Sequence, residues 1–509
     1  MIVKKLLEEH RIPWLGAILG AMVAAWVIFQ SNGFLNSDGM VYIEAAKQFS
    51  QGAWKAGFAL YNWPLYSLLI AAIHHATGLK LLASAHAITI TTFALTSAGL
   101  LVLVRELGGN RRVMLAAALM LFAATPLVNN YLPMVLRDHG FLAAHVWSIV
   151  FLLRFSATHR WSAALAWGII AAIATLFRIE GIVYLALLPL ALLLRSGYDW
   201  RQNLTALAKA NTFLAASAVL LGMALLLLPN VNAHQLGRLK DPLTVAQNVF
   251  YQLTKGLEEK ADLYVNVILG QYLNDYGMPG LLLTLAYVVL IKTATSVGWP
   301  QLLFAAYSRL QCREPSANPG HAYLLGWLFA IGLINAVFII LSAFTLPKRY
   351  LQPLGLIILI YAAFGATALF TRWRQQIGSR WIFPALTALL GLQLVLNLRP
   401  SDARDHFEQN AAKWINTHVP VGSRIYYDYG RMRFYVNEDS SSREEVPLAE
   451  IERLITTGDI KQYDYLVVHV SRKEREHQQF MSARLGEPLA MFENRRGKRI
   501  LIYRVQKSP

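Results

Sequence analysis

The sequence contains few charged residues for its length. Only 15% of its 509 residues are Asp, Glu, Lys or Arg, whereas 55% are hydrophobic, and the mean hydropathy is +0.39. A soluble protein carries about a quarter charged residues. The shortage of charge therefore excludes an ordinary soluble protein and indicates a polytopic membrane protein.

Cysteine is almost absent, because Cys312 is the only one in the chain. A single thiol excludes an intrachain disulfide framework. The sequence also lacks internal repeats and low-complexity segments. The first apolar run has no small-residue cleavage site behind it, so we interpret it as an uncleaved membrane span and not as a signal peptide.

Acidic residues are outnumbered by basic ones, 30 against 47, which gives a net charge of +17. The basic residues occur in short loops between apolar runs, where they act as topology signals. This placement argues against a nucleic-acid partner. It also predicts a cytoplasmic N-terminus.

Eleven long apolar runs remain, and a membrane span needs about 20 apolar residues. The predicted spans are 13–29, 82–104, 113–128, 141–155, 161–177, 182–194, 213–229, 279–291, 323–344, 351–370 and 381–396. A twelfth run, 63–77, is predicted either to lie at the outer surface or to dip into the membrane and back, because all six basic clusters then fall on the cytoplasmic side. The long loop 230–277, which contains Asp241, is predicted to lie outside and to cover a site.

The composition changes after Arg399, where charged residues become frequent. Residues 398–509 are predicted to form a soluble periplasmic α/β domain, and residues 1–397 a transmembrane domain with a functional outer loop at 31–81. The predicted helices and strands of the C-terminal domain are helix 407–418, strand 424–429, strand 465–470, helix 474–485 and a hairpin of 489–493 with 499–505.

The segment 36–66 combines an acidic residue with an aromatic-rich amphipathic pattern. Asp38 is predicted to begin a surface helix that contains Tyr42, and Gly52 and Gly57 are predicted to end it, before the aromatic turn at Trp63. As a helix cap, Asp38 would be stabilised by the helix dipole. As a general base, it would take a proton from an acceptor hydroxyl.

Two further acidic and basic sets flank predicted spans on the same outer side. Asp138, which follows Arg137, would orient an acceptor, hold a cation or fix an arginine, unless the pair only ends a helix. Arg178 and Glu180 stand in a tight turn between two spans. They form either a buried ion pair or a phosphate site, because arginine offers a planar fork of donors.

A last set, Lys348, Arg349 and Tyr350, enters a late span from the outer side. Two cations there oppose the positive-inside trend. They would contact anionic lipid headgroups or bind the phosphate of a lipid-linked substrate, with Tyr350 supplying a hydrogen bond.

These elements resemble the GT-C membrane glycosyltransferases, the group that includes protein O-mannosyltransferases and lipid A aminoarabinose transferases. The matching motifs are Asp38-x3-Tyr42-x2-Ala45-Ala46, Gly52-x-Trp54, Asn62-Trp63-Pro64-Leu65-Tyr66, Asp138, Arg178 with Gly181, and Arg349-Tyr350-Leu351-Gln352-Pro353. The resemblance covers roughly the first two hundred residues and the stretch around Lys348. Gly39 stands where many members have a second acid, and Trp63 stands where the aminoarabinose transferases have a lysine. These departures leave the sugar and the acceptor open.

The resemblance implies a mainly α, polytopic fold of about eleven spans with a small C-terminal α/β domain. It also implies an inverting glycosyltransferase that moves a sugar from a polyprenyl-phosphate donor to an acceptor hydroxyl on a glycan, lipid or protein. In this scheme Asp38 and Asp138 are the catalytic pair. The predicted substrate-binding residues are Tyr42, Trp63, Arg137, Arg178, Glu180, Lys348, Arg349 and Tyr350. No cofactor is expected, and a divalent cation is the less favoured option.

Two other functions fit a lipid-linked sugar partner. An O-antigen or exopolysaccharide polymerase or ligase would place its key residues in a large middle loop. A transporter would show inverted repeats or broken helices at matching positions, and the sequence shows neither.

Overall fold

The computed structural model describes residues 2–31, 33–195, 197–227, 244, 247–248, 250–311, 322–376, 380–399, 406–436, 445–495 and 497–506. Asp241 and Cys312 lie outside the described residues. The chain forms two compact units. Unit 1 consists of Met1–Trp26, Ala87–Leu132 and Arg137–Leu398, and unit 2 of Val27–His86, Pro133–Leu136 and Arg399–Pro509.

Helices account for nearly all of the described structure before residue 398. In chain order they are α1 Ile2–Gln30, α2 Ser37–Ser50, α3 Trp54–Leu60, α4 Leu65–Thr77, α5 Leu81–Glu106, α6 Arg111–Ala123, α7 Asp138–Thr158, α8 Trp161–Phe177, α9 Gly181–Leu187, α10 Trp200–Leu227, α11 Leu257–Tyr264, α12 Gly277–Ala294, α13 Trp299–Gln311, α14 Ala322–Ala343, α15 Gln352–Arg374 and α16 Ile382–Asn397. Short π or 3-10 turns occupy Pro126–Tyr131, Leu188–Leu194, Gln252–Gly256, Val265–Leu269, Gln271–Tyr276 and Lys348–Leu351.

Six of the described helical segments are long and apolar enough to cross a membrane: Arg11–Gln30, Leu81–Glu106, Asp138–Thr158, Tyr272–Ala294, Tyr323–Ala343 and Lys348–Arg374. Four shorter apolar helices cover Leu65–Thr77, Trp161–Phe177, Gly181–Leu194 and Ile382–Asn397. The predicted fold class, a mainly α membrane protein with a small C-terminal α/β domain, is confirmed.

Two predicted spans are not continuous α-helices. The run 113–128 is interrupted at Ala124 and continues as a π turn that starts at Pro126, and the run 182–194 changes to a 3-10 helix that contains Pro189. Proline explains both changes, because it has no backbone N–H to donate and its ring crowds the preceding turn.

Helix α13 was not predicted, because its polar residues made the segment look like part of a loop. Its buried face carries Gln301, Phe304 and Ser308, spaced three and four residues apart, and all three are almost fully buried. This face packs against α15, where a Cβ at Gly365 would overlap the Phe304 carbonyl. The close contact between Gly365 and Phe304, and not the hydropathy of the segment, therefore determines where this helix packs.

In unit 2, α2 begins at Ser37, one residue before Asp38, as predicted. The helix ends at Ser50, and Gly52 follows in the left-handed region with φ +76°. Gly57 does not break a helix, contrary to the prediction, because it lies inside α3. A Cβ there would come within 2.5 Å of the Phe49 ring, so Gly57 allows that ring to pack on α3.

The C-terminal part of unit 2 is a four-stranded sheet with strand order β1-β2-β4-β3. The strands are β1 Ile425–Tyr427, β2 Tyr465–Val470, β3 Ala490–Glu493 and β4 Arg499–Arg504, and the helices are α17 Phe407–His418, α18 Gly430–Tyr435, α19 Leu448–Thr457 and α20 Arg475–Leu485. Strands β1 and β2 are parallel, and β4 pairs antiparallel with β2 and β3. The predicted elements of this domain are confirmed.

Both faces of this sheet are buried. Leu501 and Tyr503 of β4 point into a core with α19 and α20, while Ile500 and Ile502 point into a second core with α17 and α18. This alternation follows from the two-residue period of a strand. The sheet is therefore a fixed frame, and the residues at its strand ends are held in place.

Candidate functional site

Arg178 is the centre of a buried polar network in unit 1. It follows directly after α8, Asp138 is the first residue of α7, and Glu180 precedes α9. Arg178 Nη1 donates to Asp138 Oδ1, and Arg178 Nη2 lies 3.3 Å from Glu180 Oε1. Arg178 is only 3% exposed and Asp138 equally 3%. Such a pair persists in an apolar surrounding only when its hydrogen bonds are satisfied.

Two glycines allow the backbones to approach closely enough for this network. A Cβ at Gly140 would overlap the ring of Phe177, the last residue of α8. A Cβ at Gly181 would meet the Thr175 Cα at 2.8 Å. Because Gly140 lies two residues after Asp138, and Phe177 precedes Arg178, the close packing of α7 on α8 places the carboxylate beside the guanidinium.

Two aromatic rings lie close to the guanidinium. The Arg178 Cζ lies 4.2 Å from the ring centre of Tyr350 and 5.8 Å from that of Phe141. Such cation–π contacts strengthen when the cation is removed from water. Tyr350 belongs to the 3-10 turn Lys348–Leu351, so this turn is joined to the Arg178 network.

Tyr131 connects the same network to Arg349. Burial raises the pKa of the Tyr131 phenol; Arg349 opposes this shift and Asp138 adds to it. Both charged groups are therefore near the phenol, which stays protonated at neutral pH. Tyr131 was missed at the sequence level, since an isolated tyrosine in a predicted loop carries no pattern.

The carboxylate of Glu180 is held in its charged form. Burial would raise its pKa, but the charges of Arg178 and Arg137 and the hydrogen bond from Arg178 lower it to about 2. Burial would likewise lower the pKa of Arg178, but Asp138 and Glu180 raise it. Glu180 and Arg178 are therefore both ionised at neutral pH.

Of the three roles left open for Asp138, the structure shows the pairing with an arginine. The donors of Arg178 that face Asp138 and Glu180 are already used. Lys348 and Arg349 are half-buried and lie at the beginning of the helical segment Lys348–Arg374. The predicted substrate-binding role of these three residues stays a prediction.

Three predicted site residues, Asp38, Tyr42 and Trp63, belong to unit 2. Asp38 is partly exposed in the first turn of α2, and Trp63 is 6% exposed. The ring centre of Tyr42 lies 4.9 Å from that of Tyr61 and 5.3 Å from that of Tyr66, both edge-on. This aromatic cluster fixes α2 against the segment that begins α4. The predicted convergence of Asp38 with the Arg178 network stays a prediction.

Within the part of the chain that the structure describes, no group of three or more His, Cys, Asp or Glu side chains is arranged to hold a metal ion. The predicted independence from cofactors stays a prediction. The structure also reveals a polar pocket in unit 2 that was not predicted, lined by Glu408, Asp428, Arg431 and His469 among others. The available signal was an acidic residue, Asp428, inside the predicted strand 424–429.

Several solved structures are similar to this chain. ArnT from Cupriavidus metallidurans bound to undecaprenyl phosphate gives a TM-score of 0.39 at 14% identity, over 97% of this chain and 99% of ArnT. Its apo state gives 0.38 at 13% identity, over 96% and 97%. Archaeal AglB from Archaeoglobus fulgidus, an oligosaccharyltransferase in complex with an inhibitory peptide and a dolichol-phosphate, gives 0.41 at 13% identity, over 83% of this chain and 63% of AglB.

No protein-family model matches the chain, and no curated protein sequence matches it. At TM-scores and identities this low, the similarity carries no argument about activity. The proposals below therefore depend on the residues of this chain.

Proposed function

We propose that the protein is an inverting glycosyltransferase that moves a sugar from a polyprenyl-phosphate donor to an acceptor hydroxyl at the periplasmic face of the inner membrane. The observation that carries this proposal is the cationic cluster of unit 1. Four basic side chains, Arg137, Arg178, Lys348 and Arg349, accompany two acidic ones, Asp138 and Glu180, in a bundle of apolar helices. The remaining positive charge suits an anionic lipid headgroup.

Charged groups within or beside a membrane are costly and mark functional sites. In the proposed reaction, Lys348 and Arg349 contact the donor phosphate, and Arg178 holds Tyr350 and the turn Lys348–Leu351 in place. Negative charge increases on the phosphate as the bond to the sugar breaks. Preorganised positive charge stabilises that change, which is often the largest contribution to catalysis.

Asp38 is the proposed general base. It is partly exposed at the start of α2, where a carboxylate is favoured by the helix dipole. It accepts the proton of the acceptor hydroxyl while the hydroxyl oxygen attacks the anomeric carbon. The bond from that carbon to the phosphate oxygen breaks, and the phosphate leaves with the electron pair. One displacement inverts the anomeric configuration.

The test is a transfer assay with purified protein, a panel of polyprenyl-phosphate sugars and hydroxylated acceptors, read by the mass of the product. Asp38→Asn should lower the rate about 10²-fold or more, since it removes the proton acceptor. Arg349→Ala should chiefly raise the donor KM. Asp459→Asn, an exposed change in the C-terminal domain, is the matched control. Full turnover by Asp38→Asn would show that Asp38 is not the general base. Absence of turnover with every donor would contradict the proposed reaction.

A further inference from the structure

The pocket in unit 2 lies at the carboxyl ends of the two parallel strands. Asp428 follows β1 directly, and His469 is next to the last residue of β2. Glu408 from α17 and Arg431 from α18 line the same space, which has a volume of about 440 Å³. In open sheets, ligands bind at the carboxyl ends of parallel strands, where side chains from separate elements meet.

The polar groups of the pocket are held in fixed positions. Asp428 Oδ2 accepts from the backbone N of His469 at 2.6 Å, and Asp428 Oδ1 lies 2.8 Å from His469 Nδ1. This arrangement directs His469 Nε2 towards Glu408, 3.9 Å from Glu408 Oε1. Among the described residues, this buried Nε2 has no hydrogen-bond partner. A polar atom of this kind indicates a ligand that would hydrogen-bond to it.

The net charge of the pocket indicates which class of ligand it can bind. Four carboxylates, Glu408, Asp428, Glu445 and Glu474, outnumber two permanent cations, Arg431 and Lys498. An excess of acid repels the phosphate of a donor lipid. The same groups suit hydroxyls, because a carboxylate accepts from a hydroxyl and a guanidinium donates to one.

The rest of the lining is apolar or aromatic, apart from Ser471. Val446, Pro447, Leu448 and Val470 provide aliphatic surface, and Tyr429 provides a phenol. Burial raises the pKa of Tyr429, so the phenol keeps its proton. A pocket that places a few polar groups on an apolar wall binds a small ligand in one orientation. A sugar ring matches it, with hydroxyls at its edge and C–H groups on its faces.

The pocket is joined to the segment that carries Asp38. The Tyr429 hydroxyl lies 2.9 Å from Ser37 Oγ. Arg431 Nη1 donates to the Leu35 carbonyl at 3.2 Å, and the Leu35 backbone N donates to the Tyr435 hydroxyl at 3.1 Å. These bonds attach the wall of the pocket to the residues immediately before Asp38.

We propose that this pocket binds a neutral, hydroxyl-rich sugar unit of a glycan acceptor and presents the acceptor to Asp38. The inference rests on the proposed glycosyl transfer, and it narrows the acceptor to the carbohydrate class. Asp428 and His469 are positioning and binding groups here, and Asp38 alone takes the proton.

The test measures binding without any donor. Saturation-transfer NMR of the purified full-length protein is recorded with methyl α- and β-glycosides of glucose, galactose, mannose and N-acetylglucosamine as probes. At least one glycoside should show transfer. Asp428→Asn and Glu445→Ala should each weaken that binding about ten-fold, the size expected for hydrogen bonds to charged groups. Glu452→Gln, on α19 and paired with His477 away from the pocket, is the matched control and should bind as the unaltered protein does.

Absence of transfer with every glycoside would overturn the inference, and so would unchanged affinity in both pocket variants. The measurements distinguish failure of the glycosyltransferase proposal from failure of the acceptor-pocket proposal. Glycoside binding without turnover of any donor lipid would reject the glycosyltransferase and keep a sugar-binding pocket. Turnover with an unchanged acceptor KM in Asp428→Asn and Glu445→Ala would reject the pocket as the acceptor site and keep the glycosyltransferase.

Discussion

The Arg178 network of unit 1 and the pocket of unit 2 each contain an arginine paired with a carboxylate, but they differ in access to water. The Arg178 and Asp138 side chains are 3% and 4% exposed, whereas those of Arg431 and Glu408 are 15% and 10% exposed. The first network is closed, and the second borders an open space of about 440 Å³.

The two sites also differ in the sign of their charge. Basic side chains prevail around Arg178, and acidic ones prevail around His469. The closed cationic network keeps its positive charge at a fixed position, whereas the open acidic pocket has room for a ligand. This difference in charge is the reason why we propose an anionic donor for one unit and a neutral acceptor for the other.

The largest expected effect is a difference in folding stability between substitutions of Arg178 and of Arg431. Arg178→Met leaves the buried Asp138 and the partly buried Glu180 without their partner, which should cost about 3–5 kcal/mol of folding free energy. Arg431→Met should cost less, about 1–3 kcal/mol, because water can reach Glu408. The apparent unfolding midpoint of each purified variant in detergent measures this. Equal shifts would contradict the difference in burial.

A second prediction concerns the packing that forms the Arg178 network. Gly140→Ala places a Cβ on the Phe177 ring and should cost about 1–3 kcal/mol by overpacking. Gly326→Ala on α14 is the control, because its Cβ meets nothing within 4 Å, and it should be neutral or mildly stabilising. Unfolding midpoints compare the two. A neutral Gly140→Ala would show that the contact of α7 with α8 is loose.

A smaller effect should appear as a dependence on pH. The pKa of Glu180 is about 2 in the folded chain against 4.5 as its ordinary value. Because the folded value is lower, the unfolded chain binds the proton first as pH falls. The stabilisation is complete above about pH 5 and is lost as the pH falls towards 2.

The wild-type unfolding midpoint should therefore fall more steeply between about pH 5 and pH 3 than that of Glu180→Gln. Glu487→Gln, an exposed change in the C-terminal domain, is the control and should follow the wild-type curve. Parallel curves for wild type and Glu180→Gln would mean that Glu180 is not held in its charged form.

The smallest effect tests the attachment of the pocket to α2. Ser37→Ala removes the contact with the Tyr429 hydroxyl and should cost about 0.5–1.5 kcal/mol. Hydrogen exchange read by mass should become faster in the first turn of α2. Ser50→Ala, at the other end of α2, should leave that turn unchanged. Identical exchange in both variants would show that α2 is held without this bond.

Several features were predictable because they depend on local patterns. Hydropathy located the apolar helices, and alternation located β2 and the hairpin of β3 with β4. The start of α2 next to Asp38 followed from the amphipathic pattern behind it. By contrast, α13 was missed, because its polar face is buried against α15 by packing at Gly365.

The residues of the site show the same contrast between local sequence pattern and tertiary packing. The sequence by itself determined which ionisable residues stand at the ends of apolar helices, since burying such groups without reason is costly. Only the tertiary structure decided their partners. The pairing of Arg178 with Asp138, the place of Tyr131 and the pocket around His469 each join residues far apart in the chain. Contacts of that kind depend on how closely helices and strands approach each other. Glycine positions and strand order determine that approach, and no local sequence pattern predicts it.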